Sequence, residues 1–297
     1  MGFRGSVINP DRFDWSQMKF YLILVPISVF MIVPIIFIIN QAFKPLDELF
    51  LFPPRILVRR PTTDSFRLLF QTGGSTGVPM SRYLMNSVIV AGITVFLNML
   101  FSVFAGYALS KRKFKWKSRL FKINQMALMF VPVAVVIPRY LVLVNLGITN
   151  TMWAHILPML AMPVSLFLIK QFIDQVPDSL LEAARIDGAG DYQILFRVVV
   201  PLIKPALATV AILTFQLVWN NPEASNYFVE DETLKTFVFY LSTLTQGQGN
   251  VMGGGAMHIA GAGMAAAAGL ILFLPNLLIF IFMQSKVMNT MSHSGIK

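Results

Sequence analysis

The sequence predicts an all-α polytopic membrane protein with six transmembrane helices. Three observations lead there. Hydrophobic residues make up 56% of the 297 residues and charged residues 13%, with a mean hydropathy of +0.67. A soluble domain carries about a quarter charged residues, so this chain has more apolar surface than it can bury in itself and lipid is the expected solvent. Six apolar runs lie close to the ~20 residues that cross a bilayer as a helix. The basic residues collect in alternate connections between those runs, as the positive-inside rule requires.

Taken in order, the first run covers residues 20–42. It follows a polar segment, 1–19, with Arg4, Arg12 and Lys19. It is too long for the apolar region of a secretion signal and lacks a small-residue cleavage pattern, so it reads as a retained helix. The next runs are 86–109, 123–146, 152–172 and 205–219, the last short enough that residues before Pro205 extend it. The sixth is 263–284. This divides the chain into a cytoplasmic segment 1–19, a six-helix domain 20–286 and a cytoplasmic tail 287–297. Within the domain, 44–85 and 220–260 are external and 173–204 is a cytoplasmic loop. Pro26, Pro34, Pro132, Pro138, Pro158 and Pro163 fall inside spans, where neighbours or water must satisfy the freed carbonyls. The Gly/Ala-rich stretch 253–269 places Ala265 and Gly269 four apart, a spacing that lets helices approach closely.

Orientation comes from Lys111, Arg112, Lys113, Lys115, Lys117, Arg119 and Lys122, which crowd one connection with no acid among them. That connection is therefore cytoplasmic. The N-terminus, loop 173–204 and the tail follow it, and with Lys170 and Lys286 at their edges these segments hold sixteen of the 24 Lys and Arg residues. Six of the other eight (Lys44, Arg55, Arg59, Arg60, Arg67 and Arg82) lie in the long first external segment, where the rule is weaker. The formal charge of +10 is thus a topology signal. No soluble segment carries a basic stripe with interleaved aromatics, and no nucleic-acid partner is expected. The chain has no cysteine, which excludes disulfides and thiolate metal sites.

Further classes are excluded by what the spans lack. None contains Asp or Glu, whereas an ion-coupled carrier buries carboxylates at mid-membrane. Residues 73–77 read GGSTG and lack the lysine of a phosphate loop, so the chain is not expected to hydrolyse ATP. No pattern for a catalytic or metal site is present. His155 is a lone histidine in the fourth run, read as a hydrogen-bonded packing residue. Arg139 is the one basic residue well inside an apolar run. An intramembrane cation costs at least about 2.5 kcal/mol and so faces a cavity or a partner, or reaches the outer interface.

The most informative stretch is polar and lies between the fourth and fifth runs. Ser179 and Glu182 have capping-box spacing, with Pro177 and Asp178 before them, and a helix is expected over 180–186. Asp187-Gly188 and Ala189-Gly190 supply turn chemistry, and Asp191 is placed to cap the next helix. A short helix outside the bilayer, with the low surface of Ala183 and Ala184, suits docking into a soluble partner; the plainer reading is an ordinary capped loop.

Glu182-Ala183-Ala184, then Asp187-Gly188-Ala189, then Pro201-Leu202-Ile203-Lys204-Pro205, resembles the signature loop of membrane subunits of bacterial ATP-binding-cassette importers. It is most similar to the carbohydrate-uptake, maltose-permease type. Ala42-Phe43-Lys44, Pro61-Thr62-Thr63 before Phe66, Asn86-Ser87, Tyr107-Ala108-Leu109-Ser110 and Trp219-Asn220 agree in order, so the similarity spans residues 20–297. The resemblance implies a type I importer, MetI-like fold in the bacterial cytoplasmic (inner) membrane, with both termini cytoplasmic. It implies a second, related permease subunit as heterodimer partner. Two ATP-binding subunits would bind the ATP and Mg, with no cofactor in this chain, and an extracytoplasmic solute-binding protein would deliver the sugar. Glu182, Ala183, Ala184, Asp187 and Gly188 would form the helix that couples to an ATPase.

Two positions depart from the pattern. Arg139 stands where an apolar residue is usual, and Asn221-Pro222-Glu223 follows Trp219-Asn220. Position along the helices makes Arg139, Tyr140, Asn145, Trp219 and Asn220 the candidate substrate pathway. Arg139, with the basic segment 55–67, suits an acidic, uronate-type oligosaccharide. Two alternatives stand beside this: the same machine importing a non-sugar solute, and a non-transporting membrane scaffold that uses the loop only to dock.

Overall fold

The computed structural model describes residues 18–49, 51, 57–71, 77–250 and 255–294. Arg4, Arg12, Arg55, residues 73–76 and the last three residues lie outside them. Among the described residues all regular structure is helical. The order is α1 (Met18–Phe43), α2 (Leu46–Leu49), α3 (Asp64–Gln71), α4 (Met80–Lys111), α5 (Lys117–Ala127), a 3-10 turn (Pro132–Val135) and α6 (Val136–Asn145). Then come α7 (Trp153–Leu160), α8 (Pro163–Asp174), α9 (Asp178–Ile186), α10 (Asp191–Ile194), a π-helical turn (Leu195–Val199), α11 (Val200–Leu202) and α12 (Lys204–Trp219). The chain continues through α13 (Glu223–Tyr227), a 3-10 turn (Glu232–Leu234), α14 (Phe237–Asn250) and α15 (Gly255–Ser294).

Three of these are long and apolar enough to cross a bilayer unaided: Phe20–Phe43, Met80–Lys111 and Gly261–Phe282. Three more crossings are bent pairs, and counting each as one span gives six. Lys117–Ala127 and Pro132–Asn145 meet at 112°, Trp153–Leu160 and Pro163–Asp174 at 42°, and Asp191–Leu202 and Lys204–Tyr227 at 81°. The continuous runs expected over 123–146, 152–172 and 205–219 are therefore broken or lengthened. Proline is the physical reason at the first two. It has no N–H to donate and forces the residue before it out of the helical region. Val131, before Pro132, sits at φ −74°, ψ 127°, and Met162, before Pro163, at φ −87°, ψ 109°. At the third, Ile203 leaves helical geometry at φ −98°, ψ 12° ahead of Pro205.

Contacts divide the chain into residues 1–71 with 244–271, and residues 72–243 with 272–297. In the first unit the end of α1 meets the segment before α3. The Thr62 N–H donates to the Phe43 carbonyl at 2.8 Å, and the Phe43 and Phe66 rings lie 5.1 Å apart. Glu48, buried, accepts from the backbone N–H groups of Arg59 and Arg60 at 3.1 Å each. The close helix approach expected at Ala265 and Gly269 falls instead at Gly263, where a Cβ would come within 2.7 Å of the Ser65 hydroxyl. A Cβ on Gly269 would meet nothing within 4 Å.

In the second unit α4 is the central helix. Its C-terminal half packs on α8 and α12, with Val103, Tyr107, Ile169, Ile173, Leu181, Ile194, Val199, Ala206 and Val210 in one buried cluster. Gly106 permits that approach: a Cβ there would lie 2.9 Å from Ile169. The fully buried Asn98 donates to the carbonyl of Leu160, the last residue of α7, at 2.9 Å and accepts from Thr214 at 3.2 Å. It thereby supplies a donor where the break before Pro163 interrupts the helical ladder. At the outer end Asn86 donates to the carbonyls of Thr233 and Lys235 at 2.8 and 2.9 Å. Ser87 accepts from the Phe237 N–H at 2.8 Å. His155 bonds the Leu234 carbonyl through Nε2 at 3.1 Å, in keeping with a packing role.

Candidate functional site

The polar loop 173–204 folds as the residue pattern predicts in outline and differs in its caps. The helix begins at Asp178, two residues early, with Pro177 at the N-cap and no side-chain cap bond. The Ser179–Glu182 capping box therefore does not form. Nor is Asp191 a cap: Gly190 holds that position, its N–H bonded to Gln193 at 3.0 Å, and Asp191 is the first helical residue. Asp178 and Asp191 are instead drawn to cations at the end of α4. The elbow is a Schellman motif. Gly188 has φ +83°; its N–H donates to the Arg185 carbonyl at 3.0 Å, and the Ala189 N–H donates to Ala184 at 2.9 Å. That pair of bonds needs a left-handed residue at Gly188, which glycine supplies without a Cβ penalty.

Three consecutive residues, the last two of α4 and its C-cap Arg112, grip this loop. Ser110 donates to Asp174 at 2.6 Å. The Lys111 ammonium donates to the Val176 carbonyl at 2.6 Å and to Asp178 at 2.8 Å. Arg112 pairs with Asp191. The Lys111 hydrogen bond holds the Asp178 carboxyl below its ordinary 3.8, and the Asp191 hydrogen bond raises Arg112 above its ordinary value. The clamp leaves α9 standing outward with one buried anchor, Leu181. Glu182, Ala183, Asp187 and Gly188 are exposed and Ala184 is half-buried. Leu180, Tyr192 and Ile186 project beside them, 44%, 74% and 87% exposed. Exposed apolar residues grouped on one face in this way have the chemistry of a docking surface. Lys111 and Arg112 were legible only as topology charges, because their partners lie some 65 to 80 residues on in sequence.

The five pathway candidates do not share one cavity. Arg139 is ion-paired with Glu223, so the two departures from the family pattern compensate each other. Glu223 and Tyr140 line an outer cavity of about 620 Å³, together with Asn221, Asn226 and Tyr227. Tyr140 also stacks on Phe228 at 6.3 Å. Trp219 is buried, donates to the Leu272 carbonyl at 2.9 Å, and lines a different, apolar cavity of about 660 Å³ with Phe215 and Pro275. Asn220 is exposed and caps its own helix through Gln216 at 2.8 Å. Asn145 is exposed at the end of α6. Glu223, Asn221, Asn226 and Tyr227 were missed as site residues. The signal for Glu223 was an acid close after the fifth run, a natural counter-ion for the unexplained Arg139 of the third run. Among the described residues no group of His, Asp and Glu is placed to hold a metal.

The family described as the binding-protein-dependent transport system inner membrane component matches residues 98–285. The probable ABC transporter permease protein YurM of Bacillus subtilis (strain 168) is 30% identical, over 95% of this chain and 87% of that protein. The melibiose/raffinose/stachyose import permease protein MelC of the same organism is 31% identical over 71% and 74%. The arabinooligosaccharides transport system permease protein AraQ of Halalkalibacterium halodurans is 29% identical over 91% and 93%. A chain from the crystal structure of a bacterial ABC transporter involved in the import of the acidic polysaccharide alginate shares the fold. It has a TM-score of 0.77 at 20% identity, over 92% of this chain and 98% of that one.

Proposed function

This chain belongs to the binding-protein-dependent transport system inner membrane component family, and from that premise we propose that it builds half of the path by which an ATP-driven importer carries a sugar or oligosaccharide across the cytoplasmic membrane. The clamped, outward-standing α9 carries the proposal. It gives a partner ATPase a rigid handle, with Ile186 and Leu180 as apolar anchors and Glu182 as an exposed charge. Three points on α4 tie that handle to the helix at the centre of the core. A tilt imposed on α9 then tilts α4, and a two-state rearrangement at the handle biases the path above it. The ATP and Mg chemistry resides in that partner, and a second related permease completes the path.

The relatives' names support the sugar class. The outer cavity suits it too, since Tyr140 and Tyr227 offer ring faces for a sugar while Asn221, Asn226 and Glu223 offer polar groups for its hydroxyls. An acidic oligosaccharide remains within this reading. Its carboxylate reaches Arg139 by displacing Glu223, so Glu223→Gln raises uptake of uronate oligosaccharides relative to neutral ones. If Glu223→Gln leaves that ratio unchanged, Arg139 does not read substrate charge.

Co-purification tests the whole. Tagged wild-type chain brings down an ATPase and a second permease. Glu182→Lys with Gly188→Pro loses the ATPase and keeps the permease. A wild-type chain that captures no ATPase from its native membrane overturns the importer reading and leaves the scaffold alternative.

A further inference from the structure

The connection from α4 to α5 reads Lys113-Phe114-Lys115-Trp116-Lys117-Ser118-Arg119, basic and aromatic in alternation. The structure separates these cations into two sets. Lys111 and Arg112 are spent on Asp178 and Asp191, and Lys117 donates to the Ser110 carbonyl at 2.6 Å. Lys113, Lys115, Arg119 and Lys122 are exposed and have no ion-pair partner among the described residues. Phe114 and Trp116 stand among them, 40% and 55% exposed, and the Arg119 guanidinium lies 4.9 Å from the Trp116 ring. Four cations without acids on a soluble surface would be solvated. Here they adjoin exposed apolar side chains, Phe114 and Trp116 in the turn itself and Leu120 and Ile123 beside Arg119 and Lys122 on α5.

Residues four apart share a helix face. Leu120 follows Trp116 by four, and Ile123 follows Arg119 by four. Leu120 and Ile123 line a cleft of about 330 Å³ whose other walls are Phe101 and Ala105 of α4 and Leu166 of α8. Phe101 lies ten residues before the end of α4, about 15 Å at the rise of an α-helix. The cleft therefore runs through the depth of one leaflet, with its cationic end at the cytoplasmic face. Basic and aromatic residues at the interface, above an apolar slot of acyl depth, match a phospholipid with an anionic head. We infer that the α4–α5 turn and this cleft bind an anionic glycerophospholipid of the cytoplasmic leaflet, its phosphate among Lys113, Lys115 and Arg119 and an acyl chain between α4, α5 and α8. The site sits on the helix that ends in the loop clamp, so an occupied cleft also steadies the handle. The inference rests on the membrane orientation and not on the nature of the cargo.

The full-length chain, purified with its co-purifying partners in mixed micelles of phosphatidylglycerol and phosphatidylcholine, provides the test by native mass spectrometry. Wild type retains phosphatidylglycerol over phosphatidylcholine, and millimolar inorganic phosphate does not displace it. Lys113→Gln/Lys115→Gln/Arg119→Gln, at exposed positions, loses that preference by roughly a hundredfold, about fivefold for each charge. Ala105→Leu, which fills the cleft, weakens retention while leaving the charges in place. Equal retention of both lipids by wild type overturns the inference without recourse to any variant. So does displacement by free phosphate, which would make this an anion site only, or undiminished phosphatidylglycerol on the triple variant. Protein in place of lipid on this face would appear as a partner lost by the triple variant with lipid retention unchanged, and that too overturns it.

Discussion

The Lys111 clamp gives the sharpest test of how the loop is held. Lys111→Met keeps the length and apolar stem of the side chain and removes the ammonium. Two bonds vanish together: the 2.6 Å bond to the Val176 carbonyl and the 2.8 Å bond to Asp178. They are not equal. Asp178 is 75% exposed at its side chain, and water replaces its lost partner at little cost. Val176 is 6% exposed, so its carbonyl is left short of a donor in a place water reaches poorly. An unmade bond of that kind costs about 1–3 kcal/mol. The equilibrium between the held and released loop then shifts roughly five- to a hundredfold. Hydrogen exchange on the intact chain in lipid nanodiscs reads this directly, as faster exchange of the amides of 178–190 by that factor with α12 unchanged. Asp178→Asn, which spares the Val176 bond, has a much smaller effect. If Lys111→Met leaves exchange in α9 unaltered, or if Asp178→Asn matches it, the reasoning that the buried carbonyl dominates is wrong.

The remaining predictions concern neighbouring features. Gly188→Ala puts a Cβ at φ +83° in open space, so the penalty is backbone strain alone, about 1–2 kcal/mol; it is read as faster exchange at the end of α9 and weaker ATPase capture. Gly106→Val drives a side chain into Ile169, where even a Cβ lies at 2.9 Å, and overpacking lowers stability by about 1–3 kcal/mol, measured as a fall in melting temperature in detergent. Arg139→Gln leaves Glu223 half-buried without its cation and costs about 1–2 kcal/mol, less than for a fully buried pair because both side chains keep some exposure. The exchange Arg139→Glu/Glu223→Arg recovers most of that loss in melting temperature, and failure to recover refutes the pairing. The Asp178 carboxyl is held below its ordinary 3.8 in the folded chain. Its contribution is therefore present above that value and fades as pH falls through the depressed one. Loop protection at pH 5 equals that at pH 7, and protection lost between them would place another titrating group in the clamp.

The apolar runs, the loop charges and the polar motif between the fourth and fifth runs were enough to define the membrane class, the number of crossings and the short helix between those two runs. These are local quantities: hydropathy over ~20 residues, a count of Lys and Arg, and glycine at a position that requires a positive φ. The signature residues Glu182 to Gly188 do stand outward on a short helix, and the glycine at the elbow is the one the turn needs. The caps were misread because Ser179, Glu182 and Asp191 were weighed only against their own neighbours. In the folded chain Asp178 and Asp191 are held by Lys111 and Arg112, two cations that arrive from another helix.

The same reason explains the outer site. Arg139 was legible as an unusual intramembrane cation, but its charge is settled by Glu223, 84 residues away. Trp219, read as part of the path, turns its indole N–H to the Leu272 carbonyl in a separate cavity. Pro132 and Pro163 stand at two of the three bends, while the angles of 42°, 81° and 112° come from what each half packs against. The sequence by itself determined which segments are apolar enough to enter lipid, because burial in a bilayer is decided residue by residue against a uniform solvent. Only the tertiary structure decided which charges are spent and which are free, because that depends on pairings between helices, and a pairing has no signature in either partner alone.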